Sequence, residues 1–206
     1  MTTAVSAFRL VRPTAVHLPA CVAALQRGWS ADNLRGAAAA AEELAAIAAD
    51  PQAYLAQMDD PLGAGPLVTL PDGTQRRRIP GLRRWIWRGP DDDSDGFVGN
   101  IGLRWMPEDA PLPPHVLGHI GYAVVPWARR QGAATQALAR VLPLARAQGL
   151  TRVEITTDAD NLASQQVITA NGGVLLGPFT KGPEYGGAPS LRFVIDLRGI
   201  APQPGG

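Results

Sequence analysis

Twelve consecutive residues, Val124-Val125-Pro126-Trp127-Ala128-Arg129-Arg130-Gln131-Gly132-Ala133-Ala134-Thr135, carry the strongest chemical signal in the sequence. A β-branched stretch runs into a proline turn, and the turn opens a helix. Arg129, Gly132 and Ala134 follow the spacing R-x-x-G-x-A. The first N–H groups of a helix lack internal partners, and the helix dipole adds partial positive charge there. A phosphate suits such a place. Gly132 lets the backbone come close to it, Ala133 and Ala134 leave the amides uncovered, and Arg129 and Arg130 add charge. The lysine followed by Ser/Thr of a P-loop is missing, and so is the G-x-G-x-x-G of dinucleotide-binding folds. The pattern reads as a pyrophosphate cradle.

Other clusters are weaker. The run Asp91-Asp92-Asp93-Ser94-Asp95-Gly96 lacks the distal glutamate of a calcium loop and reads as a solvated turn. Cys21 has no histidine or acid near it in sequence and reads as a buried helix residue. As the one cysteine it excludes an internal disulfide and a cysteine-based zinc site, and no metal ligand set is expected. Arg76, Arg77, Arg78, Arg83, Arg84 and Arg88 flank Trp85-Ile86-Trp87. They read either as a solvated hairpin face or as the recognition site for an acidic group on a ligand.

The chain that must position these residues has 206 of them, with 19 Lys+Arg against 18 Asp+Glu. That balance argues against a broad nucleic-acid grip. No apolar run reaches the ~20 residues of a membrane span, and no signal peptide is evident, so the expected compartment is the cytoplasm. Strands are expected at 4–11, 85–87, 97–105, 119–125, 151–157, 174–179 and 191–197. Helices are expected at 14–27, with Val16, Ala20, Ala24 and Leu25 on one face, and at 35–49, 51–58, 131–148 and 161–170. Asp50 reads as an N-cap before Pro51. Pro143 should kink or shorten the fourth helix. Pro71-Asp72-Gly73 marks a turn, and 201–206 a disordered tail.

Gly118-His119-Ile120-Gly121-Tyr122-Ala123-Val124-Val125-Pro126, the R-x-x-G-x-A turn, Asp160-Asn161-Leu162-Ala163-Ser164 and Asn171-Gly172-Gly173 together resemble the GNAT superfamily of N-acetyltransferases, in particular a bacterial subgroup of predicted acetyltransferases. The resemblance is specific over about residues 98–176. It implies a single α/β domain over 1–200, with a mixed, mostly antiparallel sheet, a splayed strand pair and flanking helices. It also implies acetyl-CoA as co-substrate and an amine acceptor, small molecule or peptide.

Within that resemblance the coenzyme's pyrophosphate lies on Arg129, Arg130, Gln131, Gly132, Ala133, Ala134 and Thr135. Pantetheine runs along Val124 and Val125, on a strand that usually carries a β-bulge. Asn161, with Ser164 beside it, matches the position that bonds the pantetheine arm, and Asn161 equally suits an N-cap. His119 stands where many relatives keep a glutamate base, and its pKa suits that work or a structural hydrogen bond. The tyrosine acid of many relatives is Ile168 here, which leaves Tyr185, Tyr122, or thiolate departure without a protein acid. Trp29, Arg104 and Trp105 are read as acceptor-cleft residues. The alternatives are an acyl-CoA-binding module with little turnover, and an acyltransferase using a hydroxyl or a longer acyl group. A homodimer is compatible with all of these; nucleic acid and membrane are not expected partners.

Overall fold

The computed structural model describes residues 8–70 and 72–203. In chain order, β1 (Arg9–Val11) precedes three helices, α1 (Leu18–Gln26), α2 (Ala37–Ala49) and α3 (Pro51–Ala56). The short strands β2 (Asp59–Asp60), β3 (Val68–Thr69) and β4 (Gln75–Arg76) lead to the long strands β5 (Gly81–Trp87), β6 (Phe97–Arg104) and β7 (Ile120–Val124). Then come α4 (Ala133–Ala147), β8 (Arg152–Asp158), α5 (Leu162–Ala170), β9 (Val174–Thr180) and β10 (Pro189–Asp196). One sheet has the order β1-β5-β6-β7, with β2 also on β5; a second has the order β8-β10-β9; β3 and β4 form a hairpin. The result is a mixed α/β fold with antiparallel sheets, in which β7 and β8 belong to different sheets.

The chain divides into two compact units. The first comprises the chain up to Met58, Arg84–Ile101 and Tyr122–Ala137. Its core gathers Trp85, Ile86, Trp87, Phe97, Val98 and Ile101 from β5 and β6. β1 pairs antiparallel with β5, Arg9 opposite Trp87 and Val11 opposite Trp85. Ala4 to Ala7, expected in the same strand, lie outside the described residues, as does Pro71. Helix α1 buries Ala20, Ala24 and Leu25 as read, but Val16 is exposed. Residues Ala15–His17 form a 3-10 turn, whose tighter winding takes Val16 off the apolar stripe. Buried His17 meets Asp91, which also pairs with Arg9, so the acidic turn is anchored rather than merely solvated. Asp50 caps α3 as expected, accepting from the N–H groups of Gln52 and Ala53.

Gly99 is a site of close approach in this unit. Its φ is +152, and a Cβ placed there would lie 2.1 Å from the Ala123 carbonyl oxygen. Val125 N–H donates to the Val98 carbonyl and Arg104 N–H to the His119 carbonyl. Those bonds stand six residues apart on both strands, so β7 carries no extra residue between them and the bulge expected there is absent.

The second unit comprises Asp59–Arg83, Gly102–Gly121 and the chain from Leu138 onwards. β10 pairs antiparallel with β8 in unbroken register and with β9 in a register that shifts at Arg192/Phe193, leaving Leu176 unpaired in a bulge. Pro143 lies inside α4 without ending it. The carbonyl it strands is that of Ala139, on an exposed turn where water can serve it. Pro143's own carbonyl accepts from Gln203 N–H at 3.1 Å, which ties down the described part of the tail, 201–203; residues 204–206 lie outside the described residues.

Candidate active site

In the first unit, Pro126–Ala128 make one 3-10 turn, and Arg129 is extended. Arg130 and Gly132 take left-handed φ of +62 and +81, reversing the chain into α4. Among the described residues, the N–H groups of Arg130, Gln131, Gly132, Ala133 and Ala134 meet no loop carbonyl. A Cβ at Gly132 would find only the distal Gln136 amide, at 3.8 Å, so the space over these amides is open. Arg129 turns back to donate from Nε to the Val124 carbonyl at 3.1 Å, and Gln131 accepts from Arg88. Thr135 stands in the first turn of α4. Because Val125 N–H serves Val98, alternation turns the backbone groups of Val124 to the edge away from β6. Val125 itself is buried.

In the second unit, His119 is 7% exposed. Its backbone N–H donates to the Glu154 carbonyl at 2.8 Å, and its Nδ1 accepts from the Glu154 N–H at 3.0 Å. An imidazole that accepts at Nδ1 carries its neutral-state proton on Nε2. Burial pulls its pKa below the usual 6.5, against the raising influence of Glu154 and Asp109. His119 therefore lacks a free lone pair for proton abstraction, and the base role expected from sequence meets a hydrogen bond instead. A cleft of about 190 Å³ opens beside it, lined by the loop Asp109–Pro114 with Val116, Arg152, Glu154 and Arg192. Glu154 pairs with Arg192 at 3.0 Å across this cleft. Neither the Glu154–Arg192 pair nor the proline-loop wall was found from sequence; the prolines of 107–114 were legible only as a loop.

This burial has a pH signature. With its folded pKa below 6.5, His119 binds a proton on unfolding once the pH falls under that value. The stability it contributes is complete above pH 6.5 and is lost as the pH falls through it. His119→Asn keeps an acceptor for the Glu154 N–H and removes the titration. The expected result is a shallower loss of stability on the acid side, read from urea midpoints on either side of that pH.

Tyr185 sits in a 3-10 turn, Pro183–Tyr185, and its hydroxyl donates to the His115 carbonyl at 2.8 Å. Burial raises its pKa, and Arg104 opposes the rise. Arg104 is an exposed side chain. Surrounding protein pulls its pKa down, Tyr185 counters this, and Arg83 lowers it further. Trp29 and Trp105 are buried, at 5% and 7% exposure, and so belong to the cores of their units rather than to a cleft surface. Trp29 packs edge-on to Phe97, with its indole N–H unpartnered among the described residues. Asn161 is the N-cap of α5, accepting from Ser164 N–H at 3.1 Å. Ile168, in the place of the usual tyrosine, is fully buried in α5. Arg84 is buried in β5, so the arginine run does not share one solvated face.

A family model described as "Acetyltransferase (GNAT) domain" matches residues 33–174, more than two thirds of the chain. The chain belongs to the GNAT acetyltransferase family. No curated protein matches this GNAT chain by sequence. Among solved structures, the Salmonella typhimurium acetyltransferase that modifies the N-terminal serine of ribosomal protein L7/L12 has a TM-score of 0.58 at 15% identity, covering 92% of this chain and 94% of its own. RimL, a ribosomal L7/L12 alpha-N-protein acetyltransferase solved with coenzyme A, has a TM-score of 0.57 at 14% identity, covering 92% and 93%. MccE, the microcin C7 self-immunity acetyltransferase solved with acetyl-CoA and AMP, has 0.55 at 12%, covering 92% of each. At these identities the likeness carries the fold. No helix among the described residues is long and apolar enough to cross a membrane.

Proposed function

We propose that this GNAT protein moves an acetyl group from acetyl-CoA to a primary amine. The observation that carries the reading is the cradle: unpartnered amides from Arg130 to Ala134 at the start of a 15-residue helix, with Gly132 open above them. The coenzyme's pyrophosphate is assigned to Arg129–Thr135, its pantetheine arm to Val124 and Val125, where the backbone of Val124 faces away from β6. Asn161 caps α5 through its oxygen, and its Nδ2 has no partner among the described residues, so it can also serve that arm. Ser164 stands next to it on α5. The complexes of RimL with coenzyme A and of MccE with acetyl-CoA support the same coenzyme here.

In the proposed reaction the neutral amine attacks the thioester carbon, the C–S bond breaks, and the sulfur leaves as thiolate. The nitrogen loses its proton to water, and the thiolate takes one up. His119 and Tyr185, the two groups read as catalytic from sequence, both hold backbone partners, so neither stands ready to abstract or deliver that proton. His119 keeps Nε2–H to orient the acceptor.

The test is release of free thiol from acetyl-CoA with a panel of primary amines and their hydroxyl analogues. Turnover is expected with amines, and kcat/KM is expected to rise with pH along the amine's own titration. No turnover with any amine overturns the reading. A limb near the ordinary histidine pKa that disappears in His119→Asn would restore His119 as the base.

A further inference from the structure

The arginines of the second unit differ in how their charge is met. Arg78 faces Asp60, Arg192 pairs with Glu154, and Arg198 pairs with Asp196. Arg104 has no carboxylate partner among the described residues; the titratable groups acting on it are Tyr185 and the like-charged Arg83. It stands at the end of β6, opposite His119 in the β6–β7 register, which places both side chains on one face of the sheet. Gly121, two residues on from His119, shares that face, and the Arg104 guanidinium lies 3.3 Å from where a Cβ would be. The missing side chain at Gly121 leaves a recess with bare backbone as its floor and Arg104 laid across it; Tyr185 and Arg83 are the groups whose charge acts on Arg104.

A guanidinium laid over bare backbone with no carboxylate beside it keeps its N–H donors for a ligand. Its planar fork suits a carboxylate or phosphate held by two bonds. The coenzyme's pyrophosphate is assigned to the cradle, so the anion sought here is a different one. Arg84 lies in the core and Arg88 donates to Gln131.

We infer that Arg104, supported by Arg83, binds an anionic group of the acceptor, so that the substrates are primary amines that also carry a carboxylate or phosphate. This rests on the acetyltransferase reading above. Two arms test it separately. The first compares amines that differ in one acidic group, an amino acid against its amide and a phosphorylated amine against its alcohol. Wild type is expected to prefer the acidic member at least about tenfold in kcat/KM, mainly through KM. Arg104→Gln is expected to erase the preference, Arg104→Lys to keep part of it, and Arg83→Gln to weaken it, all with unchanged KM for acetyl-CoA. The relative response of the carboxylate and phosphate pairs says which group is read. The second arm needs no turnover: calorimetric titration with glutarate, carried out with coenzyme A saturating the cradle, expected to show binding in wild type and none in folded Arg104→Gln.

Equal use of acidic and neutral amines, or a preference that survives Arg104→Gln, overturns the inference. So does a change in acetyl-CoA KM in place of acceptor KM, which would move Arg104 to the coenzyme. If no amine is turned over, the acetyltransferase reading fails, and the titration still decides whether the recess holds an anion.

Discussion

Gly132→Asp is expected to lower acetyl-CoA affinity on the order of 100-fold or more while leaving the fold in place. The substitution puts a carboxylate over the amides that should meet phosphate, and two charge-assisted hydrogen bonds lost or opposed account for that factor. The fold survives because a Cβ at 132 has open space and aspartate tolerates the left-handed conformation better than most residues. Gly132→Asn is the control, with the same shape and backbone strain and no charge. Calorimetry should show affinity falling far more in Gly132→Asp than in Gly132→Asn. Full-strength binding by folded Gly132→Asp would remove the pyrophosphate from this turn.

Gly99→Val attacks the fold instead. The Ala123 carbonyl oxygen, 2.1 Å from any added Cβ, is backbone and cannot swing aside, and the φ of +152 excludes a β-branched residue. The cost is expected to exceed about 4 kcal/mol, in the range reserved for substitutions that force backbone apart. Gly102→Ala on the same strand is the contrast, since its Cβ would meet the nearest atom at an ordinary 3.7 Å. Urea unfolding should show the first variant unfolded or close to it and the second near wild type.

The parts of the site that the sequence revealed are those whose determinants are local. The cradle is a glycine, two alanines and two arginines within one turn, and the turn's geometry follows from those residues alone. The strands and helices followed from periodicity and caps, as with Asp50 and Asn161. What stayed hidden depends on pieces distant in the chain. His119 was legible as a strand histidine, but its role depends on the Glu154 N–H, 35 residues on, which occupies its lone pair. Arg83 and Arg84 are neighbours of identical type, yet one is half-buried and the other buried; only the fold separates them. Trp29 and Trp105 were read as cleft residues because they sit near its sequence neighbours, and their large apolar area went into the cores. Pro143 was expected to kink or shorten α4; the helix runs past it to Ala147, and the carbonyl it frees lies on the wet side.

The bulge in β9 bears on how the protein behaves in a crowded solution. β9 is the outer strand of its sheet and carries Val174, Leu175 and Leu176 in a row, all at least half exposed. A bare edge with such a run invites other chains to stack onto it and grow into aggregates. Here Leu176 is pushed out of register and Pro178, two residues on, has no N–H to offer. An incoming strand finds a ladder with a displaced rung and a missing one, and loses its match within a few residues. The kink thus acts as a gatekeeper, letting the sheet end in greasy residues without becoming a seed for fibrils.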